Sequence, residues 1–361
     1  MLKKKSFFYV LFSFFFSYSI CAVTVETFNT GLYYGQVDYA TDRKQPIINR
    51  LKESDSDIIC LQEVWDENDQ HEIIHALQKT HPYVIPAQPH QRYQNTKPAC
   101  YLWDLFGKNK LFSCIQTKCD GKSGSELSGC VSSECQFAID NLALAKPHCA
   151  NAIFAQSGKD LIPSIWTVLS PFTYANRFVW NGSSGLLMLS KLPFHQTESI
   201  SFADNSTITH RETLVGSVNI NETDVSIYCT HLTASLANIP YTGTADSWKH
   251  ENRIQLDHLL TTIKQHNKPS ILMGDFNCDL SDNTSHCKQI RDYGFTPVAT
   301  DCTYCSTNPL TDTTIDETID YIFVNGLHIL KHFRIYDSPI ITTQNQSIPY
   351  SDHYGVKAIL K

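Results

Sequence analysis

Short apolar runs of strand character recur along this chain, and several of them end directly in a small group of charged or amide side chains. The runs are Val23 to Phe28, Asp57 to Leu61, Gly185 to Leu189, Val225 to Cys229, Ser270 to Met273, Ile319 to Val324 and Tyr354 to Leu360. Runs of this length and content read as strands. Amphipathic helices lie between some of them. One is Pro46 to Lys52, where Ile47, Ile48 and Leu51 share a face; another is Trp248 to His266, where Ile254, Leu256, Leu259, Leu260 and Ile263 form a wide apolar side. The expected class is therefore mixed α and β. The 361 residues show no internal repeat and no low-complexity linker, and a large α/β sandwich can be this long.

At the N-terminus Lys3, Lys4 and Lys5 precede an apolar run from Phe7 to Phe16 that closes in Ser17, Ser19 and Cys21. This is the pattern of an export signal, with cleavage expected near Cys21 or Ala22 and a secreted product, extracellular or periplasmic. The apolar core is shorter than the roughly 17 to 25 residues a spanning helix needs. Ile20 also stands where a lipid-anchored Cys21 would want a small residue. The expected division is a leader at 1–22 and a catalytic domain at 23–361, with an insertion at about 95–174.

Loss of the leader removes one of 13 cysteines and leaves an even number, which suits disulfides in an oxidising compartment. Cys278 with Cys287 and Cys302 with Cys305 read as two local bridges. Cys60 and Cys229 fall inside strands and read as buried thiols. The 29 Lys and Arg, three of them in the leader, face 36 Asp and Glu. A non-specific nucleic-acid binder is normally basic, because neutralising phosphates supplies its affinity. The charge balance thus counts against nucleic acid as partner, although a local basic groove can sit on an acidic protein.

Residues from about Asn95 to Tyr174 break the rhythm of strands. They hold six cysteines, at 100, 114, 119, 130, 135 and 149, and a Gly and Ser stretch around Gly121 to Gly129, with helical apolar patterns on either side. The paired short spacing of a zinc ribbon is absent, so an insertion stapled to itself by disulfides is expected, its pairing open. Tyr101, Trp103, Phe106 and Phe112 form either a small satellite core, the first expectation, or an exposed surface that meets lipid.

The polar groups at the strand ends carry the chemistry. Asp57 to Leu61 leads into Gln62 and Glu63, Val225 to Cys229 into Thr230 and His231, and Ile271 to Met273 into Gly274, Asp275, Phe276 and Asn277. Hydrolysis of a phosphate ester asks for hard oxygen ligands around magnesium (Mg²⁺), a base for the attacking water, and donors for the developing charge. Glu63 and Asp352 are candidate metal ligands. Asn29 either joins them or fixes Glu63 or a phosphate oxygen. His353 is the candidate base and Asp320 the partner that sets its tautomer. Asp275, Asn277 and His231 would hold the phosphate or assist the leaving group. Mn²⁺ and Ca²⁺ are alternative ions. His210 and Arg211, before a strand, read as a solvated strand start. His71, His75 and His81 are set aside as a metal site, having no carboxylate set of their own.

The stretches TFNTG (27–31), LQEVW (61–65), SGLLMLSKLPF (184–194), THLTA (230–234), GDFN (274–277), IDYIFV (319–324) and SDHYGV (351–356) occur in the order seen in the endonuclease/exonuclease/phosphatase superfamily, which the chain resembles over about 23–95 and 175–361. The resemblance implies a four-layer α/β/β/α sandwich of the deoxyribonuclease/sphingomyelinase type. It implies the same roles for Asn29, Glu63, His231, Asp275, Asn277, Asp320, Asp352 and His353. LQEVWDENDQHEIIHAL, and THL followed by a helix bearing Arg253 and Gln255, are similar to neutral sphingomyelinases. That similarity implies hydrolysis of sphingomyelin to ceramide and phosphocholine at a phospholipid or sphingolipid membrane surface, by a monomer. A phosphoinositide phosphatase or another phospholipase C, a deoxyribonuclease, and a catalytically dead binding module are the rival readings.

Overall fold

The computed structural model describes residues 22–361 apart from 91, 92, 95, 173, 176, 237, 238, 299, 312 and 344. The expected leader, through residue 21, and Asn95 at the start of the expected insertion lie outside the described residues. Two six-stranded sheets form the centre. Along the chain their strands are β1 (Val23–Leu32), β2 (Ile58–Val64), β3 (Tyr83–Pro86), β4 (Leu187–Ser190), β5 (Gln196–Ser201), β6 (Glu212–Ile220), β7 (Thr223–His231), β8 (Ser270–Asp275), β9 (Thr296–Pro297), β10 (Asp320–Asn325), β11 (Ile329–Ile335) and β12 (Gly355–Leu360). The first sheet runs β11-β12-β1-β2-β4-β3 and the second β9-β10-β8-β7-β6-β5. Each has one parallel pair near its middle, β1 with β2 and β7 with β8, so their carboxyl ends emerge together.

Helices α1 (Ala40–Lys52) and α2 (Glu67–Leu77) cover the first sheet. Six helices make up the insertion: α3 (Leu102–Leu105), α4 (Leu111–Lys118), α5 (Gly124–Glu134), α6 (Gln136–Ala145), α7 (Pro147–Phe154) and α8 (Leu161–Leu169). The long α9 (Trp248–His266) covers the second sheet. Among the described residues no helix is long and apolar enough to cross a membrane.

The four layers follow from which side each apolar residue faces. Val25, Ile58, Met188, Ile227, Met273 and Ile322 fill the space between the sheets. Phe28, Ile59, Leu61 and Leu189 point the other way, onto Ile47, Leu51, Ile73 and Leu77 of α1 and α2. Tyr228, Leu272 and Phe323 meet Leu256, Leu259 and Leu260 of α9. Central strands are buried on both faces and so read as unbroken apolar runs. The strands β5 and β11 lie at or near sheet edges and are largely exposed, which is why they give no apolar run. Helix α1 begins at Ala40, upstream of Pro46. The fully buried Arg43 anchors that extra turn by donating to the carbonyls of Thr30, Gly31, Asp38 and Tyr350.

Cys60 and Cys229 are not free thiols. They join β2 to β7 across the inter-sheet core, 169 residues apart in sequence, with 5.5 Å between their α-carbons. Cys60 stands three residues before Glu63 and Cys229 two before His231, and both face the same interior. The local bridges Cys278–Cys287 and Cys302–Cys305 are present as expected.

The insertion has three nested bridges, Cys100–Cys149, Cys114–Cys135 and Cys119–Cys130, around a core that includes Leu105, Ile115, Leu127, Ile139 and Val168. Its aromatic residues divide. Phe106 packs against this core with the Phe112 ring 4.2 Å from its own, whereas Tyr101 and Trp103 are exposed and stack on one another at 4.9 Å. A two-residue backbone ladder, Tyr93–Gln94 with Tyr174–Ala175, closes the stem. Gly35, at φ 80°, lies so close to the insertion that a Cβ there would stand 2.3 Å from the Ser125 carbonyl oxygen, which brings α5 onto the turn after β1.

Replacing both Cys60 and Cys229 with alanine should lower the unfolding free energy by about 4 to 5 kcal/mol, the chain-entropy expectation for so long a closed loop. Urea unfolding of parent and double variant under oxidising conditions measures this. A loss below about 1 kcal/mol would show that the bridge adds little to the packing of the two sheets.

Candidate active site

The parallel strand pairs deliver their carboxyl ends to one rim, where the Asn29 side chain makes the central contacts. Its Nδ2 donates to Asp275 Oδ2 at 3.0 Å and to Glu63 Oε1 at 3.3 Å, and lies 3.5 Å from His353 Nε2. Its Oδ1 accepts the Gly31 backbone N–H at 3.1 Å. Asn29 thus turns its nitrogen, not its oxygen, toward the carboxylates, which is the geometry of a residue that fixes Glu63. Gly31, at φ 54°, leaves room for Asp352, since a Cβ there would stand 2.4 Å from Asp352 Oδ1.

On the other sheet Asp275 is held by the Asn277 backbone N–H at 2.9 Å, with His231 Nε2 at 3.4 Å. The Asn277 side chain donates to the Leu232 carbonyl at 3.0 Å, which ties the ends of β7 and β8 together. His353 Nδ1 lies 2.8 Å from Asp320 Oδ2, and Asp320 pairs with Asp275 across β10 and β8. All eight residues expected from the sequence therefore meet at one rim. Asn29, His231, Asp275, Asp320, Asp352 and His353 are buried, while Glu63 and Asn277 remain partly open to solvent. Glu63 and Asn277 have positive φ, 59° and 51°. Asparagine adopts this region readily; for glutamate it is a local strain of the kind found at functional sites.

Burial and close neighbours shift two of the acids and both histidines in this space. Burial and the facing Asp352 push the Glu63 carboxyl up. Burial and Asp320 push Asp275 up to about 7. Burial opposes charge on His353, but Asp320, Asp352 and Asp275 outweigh it and hold the imidazole well above its ordinary value. Burial, with Arg211 and His353 nearby, keeps His231 well below its own, hence neutral. His231 Nδ1 and Asp320 Oδ1 have no hydrogen-bond partner among the described residues.

Arg211 is the main correction to the sequence reading. It is buried, not solvated, as is His210, whose Nδ1 lies 3.1 Å from the Gly182 carbonyl oxygen. The guanidinium lies over the Trp65 ring at 5.8 Å, in the field of Glu63 and Asp275, with Nε and Nη1 unpartnered among the described residues. The signal was positional. Thr213 pairs with Thr230 across β6 and β7, so the residue just before β6 falls level with the end of β7, beside His231. Trp65, 6.1 Å from His231 between ring centres, and Tyr33, 6.0 Å from Trp65, line the same side. On α9, Arg253 faces solvent and pairs with Asp257, whereas the buried Gln255 accepts the Thr233 N–H and braces the turn after His231. His71 and His75 are exposed on α2, and His81 lies against the Ser56 carbonyl.

Glu63 and Asp352 suit a divalent cation with a preference for oxygen: two like charges share a desolvated rim and each raises the cost of the other. A second grouping, Asp275, Asp320 and His353, brings ligand-type atoms within 4.8 Å of one another, but an imidazole proton already lies between His353 and Asp320.

Two facing sheets sandwiched by helices, with acids and histidines gathered at one rim, are the build of a hydrolase of the four-layer class. The sequence profile of the Endonuclease/Exonuclease/phosphatase family matches residues 27–353, and the chain belongs to that family, whose enzymes are metal-dependent phosphoester hydrolases. No curated protein matches it in sequence. Among solved structures it is similar to SmcL (TM-score 0.53, 14% identity, 94% of this chain and 99% of that one). It is also similar to sphingomyelinase C from Streptomyces griseocarneus (TM-score 0.52, 14%, 94% and 99%). A third likeness is to D. rerio TDP2 complexed with a single-strand DNA product (TM-score 0.51, 13%, 94% and 99%). At these identities the likeness shows the fold.

Asp320→Asn removes the largest favourable influence on the charged form of His353. The imidazole pKa should fall toward or below its ordinary value, and turnover should drop by roughly tenfold to a hundredfold. NMR titration of the His353 ring, alongside turnover of a soluble diester, tests both; an unmoved ring pKa would exclude Asp320 as its partner.

Proposed function

We propose that this chain is a secreted phosphodiesterase of the sphingomyelinase type, which hydrolyses sphingomyelin to ceramide and phosphocholine with Mg²⁺ as its ion. The observation that carries the chemistry is the His353–Asp320 pair beside Glu63 and Asp352, at a rim the two sheets build jointly. The substrate rests on the sphingomyelinase-like stretches around Glu63 and His231 and on the acidic charge of the chain, which disfavours a nucleic-acid backbone.

Glu63 and Asp352 would hold the cation, and Asn29 would keep the Glu63 carboxylate in place. When bound, the cation supplies positive charge to the phosphate oxygens and offsets the carboxylate field that otherwise keeps His353 protonated. His353 keeps its Nδ1 proton on Asp320, which leaves Nε2 to accept the proton of the attacking water. Asp320 then steadies the imidazolium that forms. Across the rim, neutral His231 and the Asn277 amide face the phosphate, and Arg211 offers it the unpartnered donors of its guanidinium. Asp275, pushed up to about 7, can carry a proton toward the leaving oxygen near neutral pH.

EDTA should abolish activity and Mg²⁺ restore it, with Mn²⁺ and Ca²⁺ compared as alternatives. Glu63→Gln should cost more at low Mg²⁺ than at saturation, whereas His353→Ala should lower kcat by on the order of a hundredfold with little change in Tm. Full activity in excess chelator would end the mechanism. Sphingomyelin, phosphatidylcholine, phosphoinositides and plasmid DNA assayed side by side decide the substrate, and faster cleavage of DNA than of any lipid would favour the deoxyribonuclease reading.

A further inference from the structure

Large apolar side chains left in solvent are concentrated in one part of the molecule. Of 13 exposed ones among the described residues, eight fall between 101 and 172, within the insertion. Singly such residues are ordinary; gathered on one module they mark a contact surface. Trp103 is 69% exposed and stacks on Tyr101 with the ring planes 3° apart. On α8, Ile162 and Trp166 stand one helical turn apart and are 80% and 67% exposed. The N–H groups of Ala99 and Cys100 both donate to the Val168 carbonyl, so the aromatic stack sits beside the end of that helix.

Charge identifies what this surface fits. From residue 96 to 119 the one acidic side chain, Asp104, is buried and accepts the Tyr101 N–H at 2.8 Å, whereas Lys97, Lys108, Lys110 and Lys118 are exposed. An otherwise acidic chain therefore carries its stacked aromatic rings on a segment with four exposed lysines and no exposed acid, Asp160 at the start of α8 being an exposed acid on the neighbouring helix. Indole and phenol rings with lysines around them are the combination that partitions into the headgroup region of a bilayer.

We infer that the insertion docks the protein on a phospholipid surface, with Tyr101, Trp103, Ile162 and Trp166 entering the headgroup layer and the lysines meeting lipid phosphates. The Cys100–Cys149 bridge, immediately before Tyr101, fixes the base of this surface. The module rests on the turn after β1, through Gly35 and Gln36, and on the chain after β7, through a hydrogen bond between Thr242 and Asn151. Those strands carry Asn29 and His231. The inference rests on the lipid reading for its purpose, but binding is measurable without turnover.

The test uses the full mature chain in EDTA with vesicles of phosphatidylcholine, alone or with phosphatidylserine, followed by cosedimentation and by quenching of tryptophan fluorescence with brominated lipid. Trp103→Ser with Trp166→Ser should weaken binding to both vesicles by about tenfold or more, and Lys108→Glu with Lys110→Glu should weaken binding chiefly to the anionic ones. Tm and turnover of a soluble diester should stay at the parent value in both. The inference is overturned by absent vesicle binding in the parent, by variants that bind as the parent does, or by a tryptophan variant that loses stability while the lysine variant binds normally. Self-association that the tryptophan variant abolishes, without vesicle binding, would assign the patch to a protein contact instead. Vesicle binding without sphingomyelin hydrolysis would leave the docking intact and remove only the substrate.

Discussion

Burying several carboxylates in one desolvated rim is the constraint on which the rest of this structure turns. Glu63, Asp275, Asp320 and Asp352 stand together, with His353, Arg211 and Arg43 as positive charge nearby. An unpaired buried carboxylate costs several kcal/mol, so each one must be met by a donor. Asn29 serves Glu63 and Asp275, the Asn277 N–H serves Asp275 again, His353 serves Asp320, and the Ser351 hydroxyl serves Asp352. These donors come from both sheets. Asp275 and Asp320 of the second sheet take donors, Asn29 and His353, from the first, so the rim is complete only when the two sheets are assembled. The residual repulsion between Glu63 and Asp352 is what makes the place receptive to a cation.

Much of this was legible in the sequence, for a definite reason. Central strands buried on both faces leave long apolar runs, and the rim residues follow them within one or two positions, as Glu63 follows Leu61 and Asp275 follows Met273. The helix Trp248 to His266 was readable to its ends because its apolar side is wide and Ser247 caps it. What stayed hidden depends on neighbours across strands. Arg211 reads as solvated until the register of β6 against β7 sets it beside His231. The largely exposed strands at the sheet margins have no burial to record in their composition, and the early start of α1 is owed to Arg43 reaching carbonyls far along the chain.

The insertion follows a different rule from the sandwich that carries it. Its helices are short, its core small, and its order is secured by three nested bridges rather than by area. Phe106 packs on that core and holds the ring of Phe112 beside it, whereas Tyr101 and Trp103 stay outside and exposed. A sandwich that must keep a charged rim fixed and a staple-bound module that can display apolar surface are complementary solutions. One protects geometry and the other tolerates exposure.

The bridge between Cys60 and Cys229 encloses every cysteine of the insertion. As the chain is made from its N-terminus, Cys60 is followed by six other thiols before its partner exists. Oxidation in order of appearance would join it to the wrong cysteine. The native pairing therefore forms once β7 has been laid against β2, directly or by thiol–disulfide exchange from a wrong pairing. The bond is in that sense a record of assembly: a chain that carries it has already brought both halves of the rim together.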